Sequence, residues 1–373
     1  MPVARILFVL PLPEPFDYAV PDGMDVSVGS YVTAPLGQTE RLGVVWDLLG
    51  DEVAAGRELK PVLSVYDVPP MPAAMREFIG WAAKYTVSHP GHVLGMSLRA
   101  RGGLLPSPTE TVFHLTGEEP KKLTDTRRRV LDAAEEVGPA NAATLAAAAG
   151  VSSGVVKGLV SAGALRAEEM AADAPFAVPQ PDLPGADLTG EQGEAADALK
   201  AAMRAGGFAA FLLDGVTGSG KTEVYFEAIA EALRVDPDAQ VMVLLPEIAL
   251  TQAILSRFEE RFGAAPAPWH SGLSDKERRR TWRETAHGRA RIVIGARSAL
   301  FLPYANLKLI IVDEEHDGSY KQEDGVTYHA RDMAVMRAKL EGAGVVLASA
   351  TPALETVVNA EAGRYARLML AAR

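Results

Sequence analysis

Cysteine is absent from all 373 residues. That excludes disulfides and any cysteine-ligated zinc site within the chain, although it assigns no redox compartment by itself. No run of 18 apolar residues occurs, and the opening Met-Pro-Val-Ala-Arg lacks the charged-then-apolar pattern of an export signal. A cytoplasmic location without a membrane partner is the expectation. Positive charge is scarce: 37 Lys and Arg against 48 Asp and Glu leave a net charge of −11. This argues against a broadly basic nucleic-acid coat but not against a local patch. Ser274–Arg297 holds eight Lys and Arg against three Asp and Glu, a local net of +5. The same run also reads as a solvated helix face.

What is present is a phosphate loop. Residues 215–222 read Gly-Val-Thr-Gly-Ser-Gly-Lys-Thr, directly behind the apolar run Phe211-Leu-Leu-Asp214. A strand feeding such a turn lets backbone N–H groups converge on phosphate oxygens without side chains in the way. The nucleotide-binding residues are therefore Gly215, Val216, Thr217, Gly218, Ser219, Gly220, Lys221 and Thr222. Lys221 supplies a point charge for the β- and γ-phosphates, and Thr222 a hydroxyl for Mg2+. The helix that follows from Glu223 directs its positive dipole end at the phosphates. Ninety-two residues beyond Lys221, Leu309-Ile-Ile-Val ends in Asp313-Glu314-Glu315-His316. Asp313 fits the magnesium shell and Glu314 the orientation of an attacking water. Both stand past the carboxyl end of a strand, where open α/β sheets bind ligands. With ATP as the implied nucleotide, Gln192 in Leu-Thr-Gly-Glu-Gln is placed to read adenine; alone it would be a solvated residue. Ser349-Ala-Thr351-Pro and Arg297-Ser298 also follow strands, as a relay and a phosphate-contacting pair would.

The chain divides into three blocks. Residues 1–101 alternate apolar runs with turns, and Arg5–Leu10, Ser30–Pro35 and Leu42–Trp46 read as strands. A helix over Ala73–Tyr85 closes the block, with Phe78, Ile79, Trp81, Ala82 and Tyr85 as its apolar side. Residues 102–122 read as linker and edge. In 123–170, helices starting at Arg127, at Ala142 and at Val155 precede a strand after Gly163. Gly150 ends the second helix and Ser152 caps the third, so the set resembles a small winged helix. Its third helix offers only Lys157, so sequence-specific base reading is not expected of it. Residues 171–187, with four prolines, form a second linker. From 188 to 373, short unalternating runs at Phe211–Leu213, Val241–Leu245, Ile292–Ile294, Leu309–Val312 and Val345–Leu347 suit parallel strands covered on both faces. The fold class is multi-domain α+β and α/β, ending in a doubly wound domain.

Several strings together resemble the PriA family, the primosomal superfamily-2 DNA helicases of bacterial replication restart. They are Gly-Val-Thr-Gly-Ser-Gly-Lys-Thr-Glu-Val-Tyr, Leu-Pro246-Glu247-Ile-Ala-Leu-Thr251, His270-Ser-Gly-Leu, Arg297-Ser-Ala-Leu-Phe, Asp-Glu-Glu-His and Ser-Ala-Thr-Pro-Ala-Leu-Glu. Pro11-Leu-Pro-Glu-Pro-Phe16-Asp17-Tyr18 and Leu59-Lys60-Pro61 extend the resemblance to the first block. It implies a RecA-like first helicase lobe at 188–373, and a first block that binds the 3′ end of a nascent strand at a fork. Phe16, Asp17, Tyr18, Gly37 and Lys60 match that pocket. An aromatic there would stack on a terminal base, a carboxylate accept from the 3′-hydroxyl and a lysine meet phosphate.

The resemblance also makes Asp317–Asp332 the loop that reports DNA binding to the ATP site. Tyr320, Tyr328, His329 and Arg331 match, whereas Val326 and Thr327 replace a tryptophan and an arginine of some members. Implied partners are forked and single-stranded DNA, primosome proteins, the single-stranded-DNA-binding protein and the replicative helicase loader. Past Ser-Ala-Thr-Pro the family continues with a cysteine-rich zinc module and a second lobe. Zinc therefore has no ligands here, and the expectation is one lobe that binds ATP but does not unwind DNA alone. A fragment of a helicase and a short DNA-structure-binding scaffold for primosome assembly are the two readings. A restriction-type translocase would leave the first block unexplained.

Overall fold

The computed structural model describes residues 2–50, 58–171, 173, 175–246 and 249–371. The N-terminal sheet comprises β1 (Val3–Phe8), β2 (Phe16–Ala19), β3 (Tyr31–Leu36), β4 (Thr39–Leu49) and β5 (Ser64–Val65). Its strands run antiparallel in the order β2-β1-β4-β3-β5. One face buries Ala4, Ile6, Phe8, Tyr18, Val32 and Val45. The other, through Leu7, Tyr31 and Val44, turns toward α1 (Ala73–Tyr85) and α2 (Pro90–Ser97). β2 and β5 escape the sequence pattern because four- and two-residue strands show too little alternation to read.

Helix α1 has the expected bounds but a rotated face. It buries Met75, Phe78, Ile79, Ala82 and Ala83. The stripe thus follows the i, i+3, i+4, i+7 spacing from Met75. Tyr85, expected in the core, is 58% exposed and stacks on half-buried Trp81 at 4.8 Å.

Residues 106–174 form a compact unit of their own. It holds β6 (Thr109–Leu115), α3 (Asp125–Val137), β7 (Ala140–Asn141), α4 (Ala142–Ala149), α5 (Ser153–Ser161) and β8 (Leu165–Ala171). The order β7-β6-β8 and the three helices make a winged-helix arrangement. Residues 102–122, read as linker and edge, instead supply the end of a 3-10 turn (Arg101–Leu104) and β6, the middle strand of this sheet. The polar alternation Thr-Glu-Thr-Val-Phe-His hides the strand because only Val112 and Phe113 are buried. Gly150, left-handed at φ 61°, ends α4 and Ser152 starts α5.

The remaining residues build α6 (Gly190–Ala205), β9 (Ala209–Gly215), α7 (Lys221–Val235), β10 (Gln240–Leu244), α8 (Gln252–Phe262), β11 (Ala267–Trp269), α9 (Asp275–Ala286) and β12 (Ile292–Gly295). After them come β13 (Leu307–Asp313), β14 (Lys321–Gln322), β15 (Tyr328–His329), α10 (Ala330–Glu341), β16 (Gly344–Ser349), α11 (Leu354–Glu361) and β17 (Ala366–Leu370). Seven parallel strands lie in the order β11-β12-β10-β13-β16-β9-β17. β11 and β17 are the edge strands, each paired on one side only, and the five inner strands are the ones legible in the sequence. Val241, Val243, Leu309 and Ile311 pack beneath α6, α7 and α8, and Met242, Leu244, Ile310 and Val312 face the opposite side. Continuous apolar runs are what a sheet covered on both faces requires.

Part of that second cover comes from the N-terminal block. Residues 1–105 and 175–373 are one compact unit. Trp282 of α9 is fully buried, donates its indole N–H to Ser97 O at 2.7 Å and meets the Tyr31 ring edge-on at 5.6 Å. Arg337 of α10, also fully buried, donates to Leu300 O at 3.1 Å and lies 5.3 Å from the centre of the Phe78 ring.

Candidate functional site

β9 ends at Gly215, and the loop turns through Gly218 (φ 81°) and Gly220 (φ 85°) into α7. Only glycine adopts these angles without strain. Gly220 caps α7 with no side chain over the helix end, leaving first-turn N–H groups and the dipole to face the loop. Lys221 is buried, and its ammonium donates to Gly215 O at 2.7 Å and Val216 O at 3.4 Å. Ser219 Oγ is buried with no hydrogen-bond partner. A loop with an orphaned hydroxyl, a lysine folded over it and an open helix end fits a polyphosphate.

Gln192 does reach the loop. Its Nε2 donates to Ser219 O at 2.9 Å, while its Oε1 accepts from Thr189 N–H at 2.9 Å in a capping box. In this geometry the amide braces the loop against the start of α6.

The carboxylates stand at the end of β13. Asp313 Oδ2 accepts from the Tyr225 hydroxyl at 3.1 Å, and Oδ1 accepts from Glu314 N–H at 3.0 Å. Burial, then the neighbouring Glu314 charge, raises the Asp313 carboxyl to about 6. Glu314 has φ 48°, a strained conformation for a residue with a side chain. Tyr225 was not singled out by the sequence reading. Fully buried on α7, its hydroxyl donates to Asp313 and sits beside Thr222, and so braces the two expected magnesium ligands. Its position, one helical turn beyond Thr222, is the signal that could have found it.

The segment after β13 closes over this centre. Tyr320 is buried with its hydroxyl 2.7 Å from Asp313 O and 2.9 Å from Leu244 O. Tyr328 is buried against Phe301, ring centres 5.5 Å apart, and Val326 is buried with it. His329 caps α10, its imidazole held below the usual range by burial and then by Arg331. Arg297 donates to Ser319 O (2.9 Å) and Lys321 O (2.7 Å), anchoring the loop. Ser349 Oγ shares a 2.7 Å hydrogen bond with His316 Nδ1 and accepts from Thr351 N–H at 3.1 Å. Glu247 of the Leu-Pro-Glu string lies outside the described residues.

In the first block the structure separates the named residues by face. Phe16 and Tyr18 flank Phe8 at 6.3 and 5.7 Å. Phe16 is 41% exposed, whereas Tyr18 is buried and its hydroxyl donates to Pro35 O at 2.8 Å. Lys60 Nζ donates to Gly37 O at 3.3 Å, and Lys60 O accepts from Ala19 N–H, so Lys60 lies along the outer edge of β2. Asp17 points to the other face and pairs with Arg5 at 3.1 Å. The basic run Ser274–Arg297 is largely spent inside the fold. Arg283 donates to Leu105 O, Arg289 pairs with Glu284, Arg291 pairs with Asp238, and Arg280 covers Phe176.

A parallel sheet with a phosphate loop and an Asp-Glu-Glu-His turn defines a helicase-type ATPase lobe. Residues 192–360 match the model of the DEAD/DEAH box helicase family, and residues 5–99 that of the 3′ DNA-binding domain. Three relatives are each called Replication restart protein PriA. That of Haemophilus influenzae is 33% identical over 100% of this chain and 52% of its own length. That of Rickettsia conorii is 32% identical over 100% and 46%, and that of Chlamydia pneumoniae 36% over 96% and 49%. The chain belongs to the PriA family, matching its N-terminal portion. It spans about half the length of the curated relatives it matches. A DEAD-type lobe uses ATP with Mg2+. Among the described residues no single helix is long and apolar enough to cross a membrane.

Proposed function

We propose that this chain recognises forked DNA bearing a nascent 3′ end and binds ATP with Mg2+, as the recognition portion of a replication restart protein. The observation that carries the reading is the union of the two: the block matching a 3′ DNA-binding domain and the phosphate-loop lobe are one compact unit. In this reading Lys221 and the loop N–H groups hold the phosphates, while Thr222 and Asp313 hold the magnesium ion that neutralises them. Glu314 orients water and Gln192 lies beside the adenine. Phe16 stacks on the terminal base, with Tyr18 beneath it, Gly37 and Lys60 beside the strand, and Asp17 reaching the 3′ end from the opposite face of the same edge strand. Tyr320, Tyr328, His329 and Arg331 transmit DNA binding. Single-stranded DNA, the single-stranded-DNA-binding protein, other primosome proteins and the helicase loader are the partners, and the cytoplasm the location.

Two measurements test it. Fork binding is compared for free and blocked 3′ ends, in the parent and in Asp17→Ala. The parent should prefer the free end and the variant should lose that preference; equal affinity of the parent for both ends would remove the 3′-end assignment. ATP binding and turnover are then followed with and without fork DNA. Lys221→Ala should abolish nucleotide binding and leave fork binding intact. Turnover that persists in Lys221→Ala would overturn the phosphate-loop role. No turnover in the parent, with tight fork binding, would favour a scaffold for primosome assembly.

A further inference from the structure

One acid beside the metal and water carboxylates is withdrawn from solvent altogether. Glu315 is completely buried, and a buried carboxylate is costly unless it is well hydrogen-bonded. Its Oε1 accepts from Ala353 N–H at 2.7 Å; its Oε2 accepts from Thr356 Oγ1–H at 3.0 Å and faces Arg331 Nη1 at 3.4 Å. Its own N–H donates to Ala348 O. One residue thus joins the end of β13, the end of β16, the first turn of α11 and the start of α10. Arg331 is itself unusual. A cation in the first turn of a helix opposes the dipole, and this one is buried. Three carboxylates hold it there: Asp332 at 2.9 Å, Glu315 at 3.4 Å and Glu355 at 3.7 Å. Arg331 lies two residues beyond β15, in the first turn of α10, so a shift of the β14–β15 hairpin either carries Arg331 along or leaves the buried Glu315 carboxylate without its cation. Glu315 in turn adjoins the strained Glu314 and the Asp313 carboxylate.

We propose that Glu315 is a positioning residue that carries movement of the hairpin to the Asp313–Glu314 turn and to α11, and so links DNA at the loop to nucleotide at the phosphate loop. The proposal rests on reading Asp317–Asp332 as a DNA-reporting loop. It supplies what that reading lacks, a physical connection made by a side chain outside the loop.

The test uses the full chain and a fluorescent ADP. Nucleotide affinity is measured with and without a forked oligonucleotide in the parent, in Glu315→Gln and in Thr356→Val. The glutamine keeps the shape and one of the two acceptor oxygens while removing the charge; the valine removes only the Thr356 hydroxyl's hydrogen bond. The parent should show a linkage factor of about 5- to 150-fold. Glu315→Gln should bring it close to one, with the affinities for ADP alone and oligonucleotide alone retained, and Thr356→Val should fall between. Faster amide exchange at 328–334 and 353–361 together, without DNA, should accompany the loss. A purely structural residue would lower both affinities and leave their ratio unchanged. A linkage factor kept in Glu315→Gln overturns the proposal while the DNA-reporting loop stands; a parent without linkage overturns both. Should Glu315→Gln fail to fold, an unchanged factor in Thr356→Val overturns it instead.

Discussion

Asp313 shows how burial and chemistry oppose each other in one side chain. Its carboxyl is raised to about 6 because the charged form is desolvated beside Glu314. A carboxyl whose folded pKa lies above its unfolded value holds its proton more tightly when folded. The cost therefore appears as pH rises through roughly 4 to 6 and is then constant, up to about 3 kcal/mol. Asp313→Asn should raise the thermal midpoint at pH 7.5, and the gain should vanish below about pH 4. A midpoint difference that is independent of pH would contradict this origin. Tyr225 supports the same centre from behind. Tyr225→Phe removes the hydroxyl that braces Thr222 and Asp313. It should weaken Mg2+ binding to the nucleotide-loaded chain by about 10-fold, read in a magnesium titration. The motif marked Lys221 and Asp313 because their chemistry demands those types. Tyr225 and Glu315 were not legible, since any residue of suitable reach could brace the site and only packing reveals which one does.

At the scale of elements, the phosphate loop depends on one backbone conformation. Gly220 is at φ 85°, and a Cβ there would meet the Gln192 amide. Gly220→Ala should cost about 1–2 kcal/mol in denaturant unfolding and release Gln192 from Ser219, weakening nucleotide binding. A variant with unchanged stability and affinity would mean that the turn tolerates a side chain. Helix bounds were legible where a local signal marks them: α1 and α4 occur at the residues their patterns give, α4 between the Asn141 side-chain cap and left-handed Gly150. Strands β2, β11 and β17 were not, because short edge strands are specified by the neighbour they pair with.

For the molecule as a whole, the junction through Trp282 makes one body of the N-terminal block and the ATPase lobe. Trp282 is fully buried, and it packs on Gly103 while bonding Ser97 O. Trp282→Ala should cost about 3–5 kcal/mol and lower amide protection in α1 and in β12 together. Loss confined to α9 would show that the two parts are energetically independent.

The sequence by itself determined the nucleotide chemistry, the parallel character of the inner sheet and the family. Each rests on residue types at fixed local spacing: glycines where φ must be positive, carboxylates at a strand end, unbroken apolar runs. Only the tertiary structure decided what covers the second face of that sheet, that β6 belongs to a three-stranded wing, and that Glu315 meets Arg331. Those outcomes join residues far apart in the chain, and their energy comes from burial and pairing between elements, which local pattern does not encode.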